Sequence, residues 1–311
     1  MEISISLTKA WPGRRGSALI LVLWCVLLLT MAVFAVLDMV ELSVDHSSHN
    51  QIALEARTLA ATGLAYGLNP QILKDDPLLS QQPSEGRRIQ VEIDNEGGRL
   101  NLNYVLLTEH REILVNLFVL WGMKIADADR VADCLYDWVT PGDLKSLNGA
   151  KADDYARLGL KQRPTYKPFL TLDEADLVIG MDLVDKVRPN WRDSFTVWSN
   201  GPLNVNAAPA DVIAAVFGLD PKRVQSLTEA RNGRDEIVGT SDDVPIPDMA
   251  HLQSQLGLSD VVVKDLGSEI SFDDPNRRVE SIGQVEGVRV IISTVTRLGT
   301  TPIQYLTWQE Q

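Results

Sequence analysis

The chain has 311 residues, with 29 Lys+Arg against 42 Asp+Glu and a formal charge of −13. A pI near 4.8 argues against partners that bind through charge alone, such as nucleic acid or an anionic lipid surface. Two cysteines, Cys25 and Cys134, supply no disulfide framework, and one in an apolar run with the other outside it predicts no bridge between them.

The first element is an uncharged run, Ser17 through Leu37, placed directly behind Arg14-Arg15-Gly16. As a helix rising about 1.5 Å per residue it spans roughly 31 Å, the thickness of a bilayer's hydrocarbon core. Arginines before it, and Asp38 and Glu41 after it, place the N-terminus in the cytoplasm and the remainder across the membrane. A secretory signal needs small residues at an A-x-A-like site behind the run, and Ala32-Val33-Phe34-Ala35 is a poor one. A lipoprotein signal is equally poor, because bulky Trp24 precedes Cys25. Cytoplasmic cleavage between Gly16 and Ser17 would keep the apolar helix in the mature protein, as in type IV prepilin-like precursors; an uncleaved anchor also fits this stretch.

Proline is absent from Ser17 to Asn69, and Leu42, Ile52, Leu54, Leu59, Leu64 and Leu68 fall near helical spacing. One long helix over 18–68 is predicted, its first part in lipid and its second along a globular domain. His46 and His49, one turn apart, read as a solvated patch. Residues 69–86 read as loop. Arg88–Ile93 and Arg99–Leu102 alternate around Asn95-Glu96-Gly97-Gly98, which predicts a hairpin.

Helical texture follows: Thr108–Trp121, then Asp127–Val139 ended by Pro141-Gly142-Asp143. A loop is expected over 148–168, and a capped helix start at Thr171 and Glu174. A strand at Phe195–Trp198 and helices near Val212–Phe217, Pro221–Glu229 and Met249–Leu256 complete the block. Gly98-Arg99-Leu100-Asn101-Leu102-Asn103 is echoed by Gly201-Pro202-Leu203-Asn204-Val205-Asn206, which is read as shared strand-to-helix turn chemistry. Val279–Val285 and Val288–Val295 around Glu286-Gly287 form the clearest hairpin signal, with another strand at Ile303–Trp308. Strands flanking a helical block predict an α+β fold with a helical insertion.

No phosphate loop, zinc-protease, hydrolase or C-x-x-C motif is present, and no enzyme is predicted. Asp137, Asp143, Asp153 and Asp154 bracket an irregular loop where hard carboxylates would suit Ca²⁺, although EF-hand spacing is lacking and solvated surface acids explain them as well. Leu177-Val178-Ile179-Gly180-Met181 and Val216-Phe217-Gly218-Leu219 look like helix-hairpin-helix turns. The alternative function is therefore a membrane-anchored DNA-uptake receptor, opposed by the surrounding Asp173, Glu174, Asp176, Asp182 and Asp185.

Jointly these pieces resemble the K-type minor pseudopilins of bacterial type II secretion systems. The matching residues are Arg14-Arg15-Gly16, Glu96-Gly97-Gly98-Arg99-Leu100-Asn101-Leu102-Asn103, Asp137-Trp138-Val139 and Asn148-Gly149-Ala150 leading to Asp154-Tyr155. Leu203-Asn204-Val205-Asn206-Ala207-Ala208-Pro209 and Val279-Glu280-Ser281-Ile282-Gly283 complete the set. The resemblance implies a pilin-like fold with these parts: a leader at 1–16, a long helix at 17–68 (transmembrane about 18–38), a β region at 69–103 and 267–311, and an inserted all-helical domain at 104–266. It implies prepilin-peptidase cleavage after Gly16, methylation of the Ser17 amine, and a place at the pseudopilus tip with the I- and J-type minor pseudopilins above the major pseudopilin. The expected location is the bacterial inner membrane, single-pass, with a periplasmic C-terminal domain.

Most pilins carry glutamate at the fifth mature position, paired with a neighbour's N-terminal amine; here that position is Leu21, and the K-type family likewise lacks the acid. No cofactor is required, but the family has calcium in its helical domain. This sequence departs there, with Thr140 and Lys151 standing where the family usually carries acids.

Overall fold

A computed structural model describes the backbone of residues 15–311 and the side chains of 19–37, 39 and 50–311. Arg14 and the side chains of Arg15, Ser17, His46 and His49 lie outside the described residues.

Helix α1, Arg15–Gly67, is continuous over 53 residues, as the proline-free sequence demands. The chain divides into two compact units after Glu55. In the first, Leu19–Leu37 has a mean hydropathy of 3.0, and among the described residues α1 is the one helix long and apolar enough to cross a membrane. Its large apolar side chains are exposed, and Thr30 satisfies its hydroxyl on the Leu27 carbonyl at 2.8 Å.

The second unit opens with the end of α1. Strands β1 (Ser80–Ser84) and β2 (Arg87–Asn95) follow it. The helical insertion then contains β3 (Leu100–Asn101), α2 (Leu102–Leu107), α3 (Glu112–Leu120), α4 (Ile125–Val139), α5 (Ala152–Arg157) and α6 (Met181–Val187). It continues with β4 (Phe195–Thr196), β5 (Leu203–Asn204), α7 (Ala210–Phe217), α8 (Pro221–Arg231), α9 (Met249–Leu256), α10 (Asp260–Leu266) and β6 (Ile270–Ser271). Strands β7 (Asn276–Val285), β8 (Val288–Arg297) and β9 (Gln304–Glu310) return to the main sheet.

That sheet is antiparallel in the order β1-β2-β7-β8-β9. One face lies on α1: Ile89, Val91, Ile93, Val279 and Ile292 are buried with Ala60 and Leu64. Small residues set the close approach. A side chain at Gly283 would run into the Ala56 carbonyl and the Ala60 amide, and one at Gly63 would meet Ser281, Ile89 and Val91. The Ser281 hydroxyl donates to the Ala60 carbonyl at 2.7 Å across this seam.

The insertion leaves and rejoins the sheet side by side, because Asn95 at the end of β2 is in register with Arg277 at the start of β7. Its core is separate and aromatic. Trp138 stacks on Phe169 with centroids 6.2 Å apart and meets Tyr155 edge-on at 5.3 Å; Phe118, Trp121, Trp191 and Phe195 form a second group.

Several expectations are corrected. The hairpin across Asn95–Gly98 does not form: β2 pairs with β1 and β7, while Leu100–Asn101 pairs in parallel with β4. Residues 69–86 are not all loop, since β1 occupies 80–84, and 148–168 contains α5. Thr171 makes no side-chain cap and 172–177 is 3-10 helix. The helix expected from Thr108 begins at Glu112, after Glu109 takes a positive φ of 64°. The sequence echo runs deeper than turn chemistry: β3 pairs in parallel with β4, β5 pairs in parallel with β6, and each pair closes over intervening helices.

Candidate functional site: the insertion junction and the acidic loop

The crossing from sheet to insertion is built on a buried acid. Glu96 is fully buried in the turn after β2, and its Oε1 accepts from Arg278 Nε on β7 at 2.5 Å and from Arg99 at 3.3 Å. The other oxygen accepts a short bond from the Thr196 hydroxyl on β4. One carboxylate thus ties the main sheet to the insertion. Gly97 and Gly98 follow because a side chain would strike Asp274 at the first and the Ala207 backbone at the second.

Asp274 closes the exit crossing, accepting from the Asn200 amide at 2.8 Å and the Asn276 amide at 2.7 Å. Burial raises its pKa against those amide bonds. In the sequence Glu96 is singled out within the Asn95–Gly98 turn and at the head of the family-like run to Asn103, without its role as a buried tie. Asp274 is not singled out; the glutamate before two glycines is the available signal.

The acidic loop follows α4. Asp137 is almost wholly buried, and its carboxylate accepts from the Ser146 amide, at 3.1 Å to the nearer oxygen, and from the Ser146 hydroxyl at 3.0 Å. One turn earlier, Asp133 accepts from the Asn148 amide at 3.0 Å and pairs with Arg111 at 2.8 Å. Gly149 must be glycine because a side chain would collide with the Asp137 carboxylate. Asp154 accepts from the Lys151 amide at 2.9 Å and pairs with Arg157 at 2.6 Å and Lys145 at 3.4 Å. The Lys151 amide bond is the chief reason its pKa lies below the ordinary value.

Between these groups lies the Lys151 side chain, 10% exposed. Its ammonium donates to the carbonyls of Asp137 at 3.1 Å and Thr140 at 2.8 Å, and sits 3.8 Å from the Asp137 carboxylate and 5.1 Å from the centre of the Tyr166 ring. The end of α4 leaves carbonyls without helical partners, and a cation there answers both the orphan groups and the helix dipole. The Trp138 carbonyl accepts from the Tyr166 amide at 3.0 Å.

The residues expected to ligate Ca²⁺ are therefore not gathered. Asp137 is committed to Ser146 and Lys151, Asp154 to Lys145, Lys151 and Arg157, while Asp143 and Asp153 are exposed. Among the described residues no three His, Cys, Asp or Glu side chains are placed to hold a metal. The donors present do not fit the calcium that the resemblance implied.

Cysteine chemistry is silent too. Both cysteines are free, and burial pushes the Cys134 thiol up to about 12.

The model of the family described as type II secretion system (T2SS), protein K, matches residues 98–190. The type II secretion system protein K of Pseudomonas aeruginosa is 24% identical over 273 residues, covering 74% of this chain and 76% of its own. A chain of the crystal structure of the GspK-GspI-GspJ complex from the enterotoxigenic Escherichia coli type 2 secretion system has the same fold. Its TM-score is 0.63 at 17% identity, over 86% of this chain and 99% of its own. The chain belongs to the type II secretion protein K family.

As a protein K it is a minor pseudopilin of type II secretion. The matched stretch runs from β3 to α6 and carries the whole acidic loop. None of these likenesses supports the DNA-receptor alternative. Its two turns serve packing: Gly180, at φ 99°, lies against Val131, and Gly218, at φ 62°, closes α7.

Proposed function

We propose that this protein K stands at the tip of the type II pseudopilus, where it helps to initiate and cap the filament that drives protein export across the outer membrane. The leader is removed between Gly16 and Ser17 by the prepilin peptidase, and the new amine is methylated. The mature helix stores the subunit in the inner membrane, N-terminus in the cytoplasm and the rest in the periplasm. Packing against sister helices of the major pseudopilin replaces lipid on extraction.

The observation that carries the reading is the insertion itself. Residues 96–275 leave a sheet whose entry and exit strands are paired in register, so the bulk is added without disturbing the pilin-like part. Such bulk obstructs a further subunit above it. Leu21 agrees: a tip subunit has no overlying amine to pair with an acid in lipid, and an unpaired acid there is costly. The I- and J-type minor pseudopilins are the partners, by analogy with the Escherichia coli complex.

The test is co-extraction of the full-length chain with its I and J partners from membranes, beside a variant in which a short Gly/Ser turn joins Asn95 to Asn276. The intact chain is expected to hold both partners, and the shortened one to lose them or to assemble aberrantly. Partner binding and secretion that survive the deletion would contradict the capping role.

A further inference from the structure

The acidic loop between α4 and α5 is organised like a cation site, yet it contains its own cation. Two backbone carbonyls, those of Asp137 and Thr140, and the buried Asp137 carboxylate converge on one point, with the Tyr166 ring beside it. All three donors are hard oxygens of the kind that suit calcium. The Lys151 ammonium takes that point, and its backbone is fixed in turn by the Asp154 carboxylate on its amide.

We propose that Lys151 is a tethered replacement for a divalent ion, so that this protein K orders the 137–154 loop without calcium. Three arrangements support this. Each inward acid already has a protein cation: Arg111 for Asp133, Lys151 for Asp137, and Lys145 and Arg157 for Asp154. The loop amides of Ser146 and Asn148 are held by Asp137 and Asp133 themselves, so the carboxylates shape the loop directly. Thr140 contributes only its backbone carbonyl to the ammonium, which leaves the site one carboxylate and two carbonyls, too little charge and too few ligands for a calcium ion's six to eight oxygens. The inference concerns the insertion alone and stands whether or not the chain occupies a filament tip.

Hydrogen exchange of the full-length protein in detergent, followed on peptides covering residues 140–151, tests it. Exchange of the natural chain is expected to be identical in EDTA and in about 5 mM Ca²⁺, a concentration above the Kd of weak extracellular calcium modules. Lys151→Ala is expected to speed exchange of this loop about tenfold or more, since it strips the carbonyls and the buried acid of their partner. Ca²⁺ is not expected to slow it again, because one carboxylate and two carbonyls are still too few ligands for the ion. Slower exchange of the natural loop with Ca²⁺, or one equivalent of calcium retained through EDTA dialysis, would overturn the proposal. So would a Lys151→Ala loop that exchanges as slowly as the natural one.

Discussion

Gly149 and His110 give the sharpest expectations among single residues. Gly149→Ala would drive a methyl group into the Asp137 carboxylate, which is already held by Ser146 and Lys151. Overpacking of this kind costs about 1–3 kcal/mol, read as a lower denaturant midpoint with an unchanged slope. His110 has a pKa above its ordinary value, chiefly through its bond to Glu112, with Glu269 also nearby. The folded chain binds that proton more tightly than the unfolded chain does. Its contribution is therefore complete below the ordinary histidine pKa and fades as pH rises through the raised one. Urea midpoints should fall slightly between about pH 6 and about pH 8, and fall less in His110→Gln. At this scale Asp137-Trp138-Val139 and Asp154-Tyr155 were legible as motifs, and Trp138 does meet Tyr155. Their roles were not legible, because which cation answers Asp137 depends on a lysine brought back by the loop.

Elements were most legible where their pattern is local. The Glu286-Gly287 hairpin and the long first helix follow from alternation and from the absence of proline, and both are present. The Asn95–Gly98 hairpin failed for a non-local reason. Its glycines serve the close approach of Asp274 and Ala207, so the chain passes into the insertion instead of turning back. Two substitutions test the seams between elements. Gly283→Ala should cost about 1–3 kcal/mol by forcing β7 away from the Ala56–Ala60 turn of α1. Glu96→Ala removes the acid shared by Arg99, Thr196 and Arg278. Because Arg278 is partly solvated, the expected loss is nearer the worth of a charged hydrogen bond, about 1.5–3 kcal/mol. Thermal unfolding of the two variants provides the comparison.

In the whole molecule an apolar helical stretch precedes a sheet packed on the last turns of α1, and that sheet carries an insertion whose ends share one register step. The α+β class and the inserted block were legible because strands flank helices in the sequence. The internal pairing of β3 with β4 and β5 with β6 was not, since two-residue strands carry almost no period. The proposed role requires that the apolar helix stay in the mature protein once the basic leader is gone. The intact mass and N-terminal sequence of the chain extracted from its membrane test this directly. A start at Ser17 with a methylated amine is expected; a start at Met1, or one beyond Leu37, would overturn the proposed role.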